Sequence, residues 1–222
     1  MHAALSLLGV RCGRKRVARL MRLQHQVGVH ARRRWRTARS VAGIAGVDLV
    51  RRNFNPTGPN QLWAADVTQF RTGEGWLYLA AVLDLWSRRV IGWAIGPAVN
   101  ADLVGDALIM AFQRRRPDRR LVHHSDRGAV YTSLAFSARL ATLELDQSLS
   151  AVGSCYDNAA VESFFATLKR ELAWIHHDTK WSTRAQLRAA LFDYIEAFYN
   201  TQRIQRRLAH QSPIDFENHA VA

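Results

Sequence analysis

Cysteine is scarce in this chain. Cys12 and Cys155 are its two thiols, too few for a disulfide framework and without the paired spacing of a zinc finger. Long apolar runs are missing as well. The longest, such as Leu77–Leu83, fall far short of the ~20 residues that a bilayer-spanning helix requires. The N-terminus has no secretory core followed by a cleavage site. No glycine-rich phosphate loop occurs, so ATP-driven chemistry has no support. What remains is a soluble protein of a reducing cytoplasm, long enough at 222 residues for one sizeable core and a small accessory module.

Acidic residues are nearly absent from the opening segment, and this gap is the first positive signal. Residues 1–52 hold 13 Lys+Arg against a single acid, Asp48. The other 170 residues carry 18 basic and 17 acidic side chains, so almost all of the net charge of +13 sits at one end. Such asymmetry implies a polyanionic partner bound through counterion release. The plainer alternative is a solvated tail that serves solubility.

Residues 2–9 read as a short apolar helix ending at Gly9. Arg14–Arg22 reads as a second helix, with Val17, Leu20 and Met21 on one face and Arg14, Lys15, Arg16 and Arg19 on the rest. Helix, tight turn and basic helix is the layout of a helix-turn-helix reader. Such modules carry an earlier helix, so the chain begins almost inside the motif. Arg32, Arg33, Arg34 and Arg36 surround Trp35 in an aperiodic stretch expected to lie on phosphates. Pro56, Gly58 and Pro59 then mark a boundary.

Beyond it, strands are predicted near 61–70, 75–85 and 88–96, and a helix near 101–115. A strand at 120–125, a helix at 132–142, a strand at 145–149 and a helix after Gly153 complete the core. The run Trp76–Leu83 is continuously apolar, as a strand covered on both faces should be. Three antiparallel strands followed by alternating helices and strands is the ribonuclease H-like order. Thr183 to Gln186 forms a capping box that starts a helix with Leu187, Leu191, Tyr194, Ile195, Phe198 and Tyr199 inward.

Two acids stand where acids are unusual, and a third, Glu162, sits at the rim of a core, where most acids are simply solvated. Asp66 interrupts the strand-like run Leu62–Phe70, and Asp126 ends the run Leu121–Asp126 before the turn Arg127-Gly128. Glu162 borders the apolar stripe Val161, Phe164, Phe165, Leu168 and Leu172, with Lys169 two turns on. Buried carboxylates need partners. Two carboxylates about 4 Å apart repel by roughly 4 kcal/mol at an effective dielectric near 20, so convergence requires a counter-charge. Hard oxygen ligands suit Mg2+ or Mn2+. Asp84, at a strand end, is the strongest rival acid; Glu144, Asp146 and Asp157 are others, Asp157 reading better as a helix cap. His123 and His124 could be ligands or bases, but on a strand they face opposite ways. Cys155 with His124 as a thiol nucleophile pair is a further alternative.

The order Asp66, Asp126, Glu162 leaves 35 residues between the last two, and Lys169 follows seven beyond the Glu. It resembles the DDE signature of retroviral-type integrases and transposases. The words His123-His-Ser-Asp-Arg-Gly-Ala-Val-Tyr-Thr-Ser133, Ser154 to Glu171, Leu83 to Trp93 and Tyr199-Asn to Phe216 belong to the same pattern. Together, over roughly residues 3–217, they resemble the second open reading frame product of bacterial insertion sequences of family three. The resemblance implies an α/β fold: a ribonuclease H-like core, a mixed five-stranded sheet flanked by helices, with a small N-terminal helix-turn-helix-like segment. The domains expected are a partial DNA-binding segment (1–28), a basic arm (29–58), the integrase catalytic core (59–177) and a C-terminal helix and tail on or next to the core (178–222).

It further implies Mg2+-dependent (or Mn2+-dependent) strand cleavage and strand transfer at element ends, with two ions per site on Asp66, Asp126 and Glu162. Lys169 and Asn158 are expected to contact DNA near the ions. The implied partners are double-stranded DNA, both element ends and target, further copies of this chain on that DNA, and an upstream-frame protein or frameshift fusion. The location implied is a bacterial cytoplasm, at the nucleoid when DNA is bound, with no membrane. Two alternatives remain: a truncated derivative that binds DNA and competes with an intact transposase, and a nuclease on the same fold.

Overall fold

The computed structural model describes residues 1–26, 28, 47–118, 121–151, 158–176 and 180–221. The cluster Arg32, Arg33, Arg34 and Arg36 lies outside the described residues, as do Cys155 and Asp157. The core is a five-stranded sheet made of β1 (Leu62–Thr72), β2 (Gly75–Asp84), β3 (Val90–Gly96), β4 (Val122–Ser125) and β5 (Asp146–Leu149). Their order across the sheet is β3-β2-β1-β4-β5. β1 pairs antiparallel with β2 and parallel with β4, β2 pairs antiparallel with β3, and β4 pairs parallel with β5. The sheet is therefore mixed, with β1 at its centre.

Side-chain alternation sorts β1 and β2 cleanly between two cores. Leu77, Leu79, Ala81 and Leu83 of β2 join Leu62, Ala64 and Phe70 of β1 on one face. Ala80 and Val82 join Trp63 and Ala65 on the other. The second face is covered by α3 (Ala101–Arg115) and α4 (Leu134–Thr142), through residues such as Leu103, Leu108, Phe136 and Leu140. Gly92 permits α3 to come so close: an added Cβ would collide with the Ala107 carbonyl. The first face is covered by α5 (Ala159–Ile175) and α6 (Arg184–Phe192). Burying Val161, Phe164, Phe165, Leu168 and Leu172 of α5 contributes on the order of 10 kcal/mol of gross apolar transfer.

Past Phe192 the helix loosens into a π-helical segment, Asp193–Tyr199. The Asn200 N–H reaches the Ile195 carbonyl, five residues back, at 3.2 Å. A single α-helix through Tyr199 is thus corrected. The wider turn puts Tyr194, Ile195 and Tyr199 all into the first core. It also delivers Asn200 to the sheet edge, where the side chain pairs with both the N–H (3.0 Å) and the carbonyl (2.9 Å) of Val90. The closing helix α7 (Pro213–Val221) begins at Ser212, whose hydroxyl accepts the Asp215 N–H at 3.2 Å.

At the other end, α1 (His2–Leu7) and α2 (Arg14–Leu23) form as expected. Of the face Val17, Leu20 and Met21, only Val17 is fully buried, while Leu20 is 43% exposed. Among the described residues no helix is long and apolar enough to cross a membrane.

Candidate functional site

Strand parity decides which way Asp66 faces. It shares its side of β1 with Ala64 and Phe70, hence with α5. The parallel register Ala65–Ser125 sets Asp126, the first residue after β4, beside Asp66 at the same end of the sheet. Glu162 enters from above, exposed in the first turn of α5, where the helix dipole favours negative charge. Lys169, two turns along, places its Nζ 5.1 Å from the centre of the Phe70 ring.

Local backbone fixes each carboxylate. The Val67 N–H donates to Asp66 Oδ1 at 2.7 Å. Asp126 closes a small turn, its Oδ1 accepting the Gly128 N–H at 2.9 Å. A Cβ at Gly128 would lie 2.9 Å from that same oxygen, so a larger residue there would shift the Asp126 carboxylate. The three acids act on one another through space. Burial pushes the Asp66 carboxyl up to about 7, and the negative charges of Asp126 and Glu162 add to the rise. The Val67 amide and Lys169 oppose it without prevailing. A half-buried acid lifted this far, by burial first and then by two other carboxylates, marks a site short of positive charge, and that shortage fits a divalent cation. Among the described residues no three His, Cys, Asp or Glu side chains are already drawn together as a ligand set. The acids share a field without yet being closed around a centre.

Two family models, both described as an integrase core domain, match residues 56–155 and 162–221. A transposase of insertion sequence element IS904 from Lactococcus lactis is 36% identical over 212 residues, covering 95% of this chain and 83% of that protein. The chain belongs to the transposases of insertion sequence family three. The transposase InsF of insertion sequence IS3A from Escherichia coli K12 is 47% identical over 175 residues. This match takes in 79% of the chain and spans 60% of InsF. Among solved structures, the integrase catalytic core of HTLV-2 in complex with magnesium superposes with a TM-score of 0.56 at 15% identity, over 72% of this chain and 98% of that one. A simian T-cell lymphotropic virus intasome in complex with a PP2A regulatory subunit gives a TM-score of 0.61 at 16% identity, over 73% of this chain and 56% of that one. The fold is the integrase catalytic core, ribonuclease H-like.

Within this family frame Asp84, the strongest rival acid, finds other employment. Asp84 is fully buried and accepts from the amides of Asn60 and Trp86, each at 2.9 Å, and from Arg115 at 3.0 Å. Arg115 also bonds Glu217, which Arg89 meets at 2.7 Å, so Asp84 belongs to a staple joining β2, α3 and α7. His123 and His124 face opposite ways, as parity requires. His123 lies among the rings of Tyr131 and Phe136 with neither nitrogen hydrogen-bonded. Burial, helped by His124, lowers its pKa to about 3, leaving a neutral core ring. His124 is held between the Ser148 (3.0 Å) and Ser150 (3.3 Å) hydroxyls.

Asn158 occupies the start of α5 without capping it. It is buried, and its Nδ2 donates to the Ala65 carbonyl at 3.2 Å, while its Oδ1 has no partner. The contact ties the helix bearing Glu162 to the strand bearing Asp66. Tyr131 is the group that sequence reading missed. Its phenol is buried, and burial together with the charges of Asp66 and Asp126 drives its pKa well above the usual value. Only its place within the motif after Asp126 signalled it. Arg14, Lys15, Arg16 and Arg19 are all exposed on α2.

Proposed function

We propose that this chain cuts and joins DNA strands at the ends of an insertion sequence. The observation that supports this most is the field at Asp66, raised by Asp126 and Glu162 within a core of the integrase type. Asp66, Asp126 and Glu162 would hold two Mg2+ or Mn2+ ions, which supply Lewis-acid activation and charge neutralisation for displacement at phosphorus. The protein's own part is positional. β1 and β4 present two acids side by side, α5 brings the third, and Lys169 offers positive charge where a strand phosphate would pass. Asn158 keeps α5 in register with β1.

Water or a DNA 3′-hydroxyl attacks phosphorus in line, its proton passing to solvent or to an acid. The bond to the departing 3′ oxygen breaks, and that oxygen takes up a proton. No side chain acts as nucleophile, so no covalent protein–DNA intermediate forms. The partners on this reading are element ends and target DNA, with further copies of the chain bringing two ends together at the nucleoid. The basic segments, Arg14 to Arg19 and Arg32 to Arg36, supply phosphate contacts, and an upstream-frame product or frameshift fusion completes the system.

Labelled duplexes made from the DNA flanking the reading frame test this in Mg2+. Cut and joined products are expected from the chain, and bound but uncut DNA from Asp66→Asn, Asp126→Asn and Glu162→Gln. Normal joining by any of these variants overturns the assignment. Cutting without joining points to a nuclease, and binding alone to a competing derivative.

A further inference from the structure

On the face of α5 next to Glu162 lies a cavity of about 510 Å3 whose far wall is the segment Arg203–Arg207. Ser163 is one residue past Glu162, about 100° round the helix, and with Thr167 it lines this space. Four arginines line the cavity, Arg88, Arg203, Arg206 and Arg207, and no acid does. Arg203 is neutralised by Glu171, with a guanidinium–carboxylate contact at 2.8 Å. Among the described residues no carboxylate forms an ion pair with Arg88, Arg206 or Arg207.

Arg88 is the informative member. Its backbone is left-handed, with φ 60°, a conformation that a bulky residue adopts only when its surroundings impose it. They do so here: the Arg88 N–H donates to the Asp84 carbonyl at 2.8 Å, and its own carbonyl accepts the Tyr199 hydroxyl at 3.2 Å. The guanidinium Nε is buried with no hydrogen-bond partner. Burial and the charge of Arg207 lower the Arg88 pKa to about 10. An unmatched buried donor and clustered cations, with no anion in the wall, describe half of an interaction. The missing half is a multi-oxygen anion suited to a guanidinium fork.

We infer that this cleft holds a phosphodiester of the DNA strand whose neighbouring phosphate lies at Asp66, Asp126 and Glu162. The inference rests on the reading of those acids as the reactive centre. It commits to DNA because the cleft and the acids occupy adjacent faces of one helix, so a strand engaged at Glu162 continues across Ser163 and Thr167 toward Arg88 and Arg207.

The test measures binding of the full chain to a short DNA duplex in EDTA across a range of salt, so that chemistry plays no part. Replacing Arg88 and Arg207 with Gln should shallow the slope of log affinity against log salt by about one to two units, at about 0.9 per phosphate contact. Arg88→Lys, which keeps the charge, should retain the slope, and Arg207→Gln alone should remove about one unit should the double variant not fold. A wild-type slope in the folded double variant overturns the inference. Failure of the parent reading looks different: normal strand joining by Asp66→Asn, whatever the salt slopes.

Discussion

Asp66→Asn is expected to do two opposite things: stabilise the metal-free chain at pH 8 and abolish its stabilisation by Mg2+. The Asp66 carboxyl rises from 3.8 to about 7 on folding, first through burial and then through Asp126 and Glu162. The folded chain therefore holds this proton more tightly than the unfolded chain. The group's contribution is fully present below pH ~4 and is lost as pH climbs to about 7. A rise from 3.8 to about 7, at about 1.36 kcal/mol per unit, amounts to about 4 kcal/mol. Because Asp66 retains partial contact with solvent, about half of that is the working expectation. Urea unfolding in EDTA at pH 8 should then show the variant's midpoint higher by about 1 M, taking a slope of about 2 kcal/mol per M. The gap should close near pH 4. Adding Mg2+ should raise the wild-type midpoint and not the variant's. A variant that is less stable than wild type in EDTA at pH 8 would refute the claim that burial and the neighbouring acids strain Asp66.

Three other outcomes follow from the same geometry. His123→Leu should stabilise the fold by about 1 kcal/mol, because neither ring nitrogen is satisfied. It should also flatten the loss of stability as pH falls from 6.5 toward 3, which calorimetry across that range would show. Arg115→Leu should cost about 3–5 kcal/mol in chemical unfolding, since it strands Asp84 and Glu217 without their shared cation. Replacing Arg32, Arg33, Arg34 and Arg36 with Gln should weaken DNA binding and shallow its salt dependence, and an unchanged slope would make the arm a solubility feature.

Much of this fold could be read from local pattern. The apolar run Trp76–Leu83 becomes the doubly covered β2, and the 3.6-residue stripe of α5 is buried at each expected position, Val161, Phe164, Phe165, Leu168 and Leu172. Asp66 and Asp126 were legible because each violates a local rule, Glu162 only through the ordered motif that it closes, and strand parity then brings Asp66 to the α5 face. What stayed hidden is what depends on distant partners. Asp84 breaks the same rule as Asp66, and only Arg115 and Glu217, folded in from α3 and α7, show it to be structural. Asn158 sits in a turn-like word, yet it points inward to Ala65. The π-helical segment has no local signature, because it answers the need to bring Asn200 to Val90. The arginine cleft joins Arg88 to residues 203–207, which no spacing rule connects.

The most direct test of the central claim is anomalous scattering from crystals of the chain grown in Mn2+. Density among the carboxylates of Asp66, Asp126 and Glu162, lost in Glu162→Gln crystals, is predicted. Saturating Mn2+ that leaves those three carboxylates without density, or that binds only elsewhere on the chain, would contradict it.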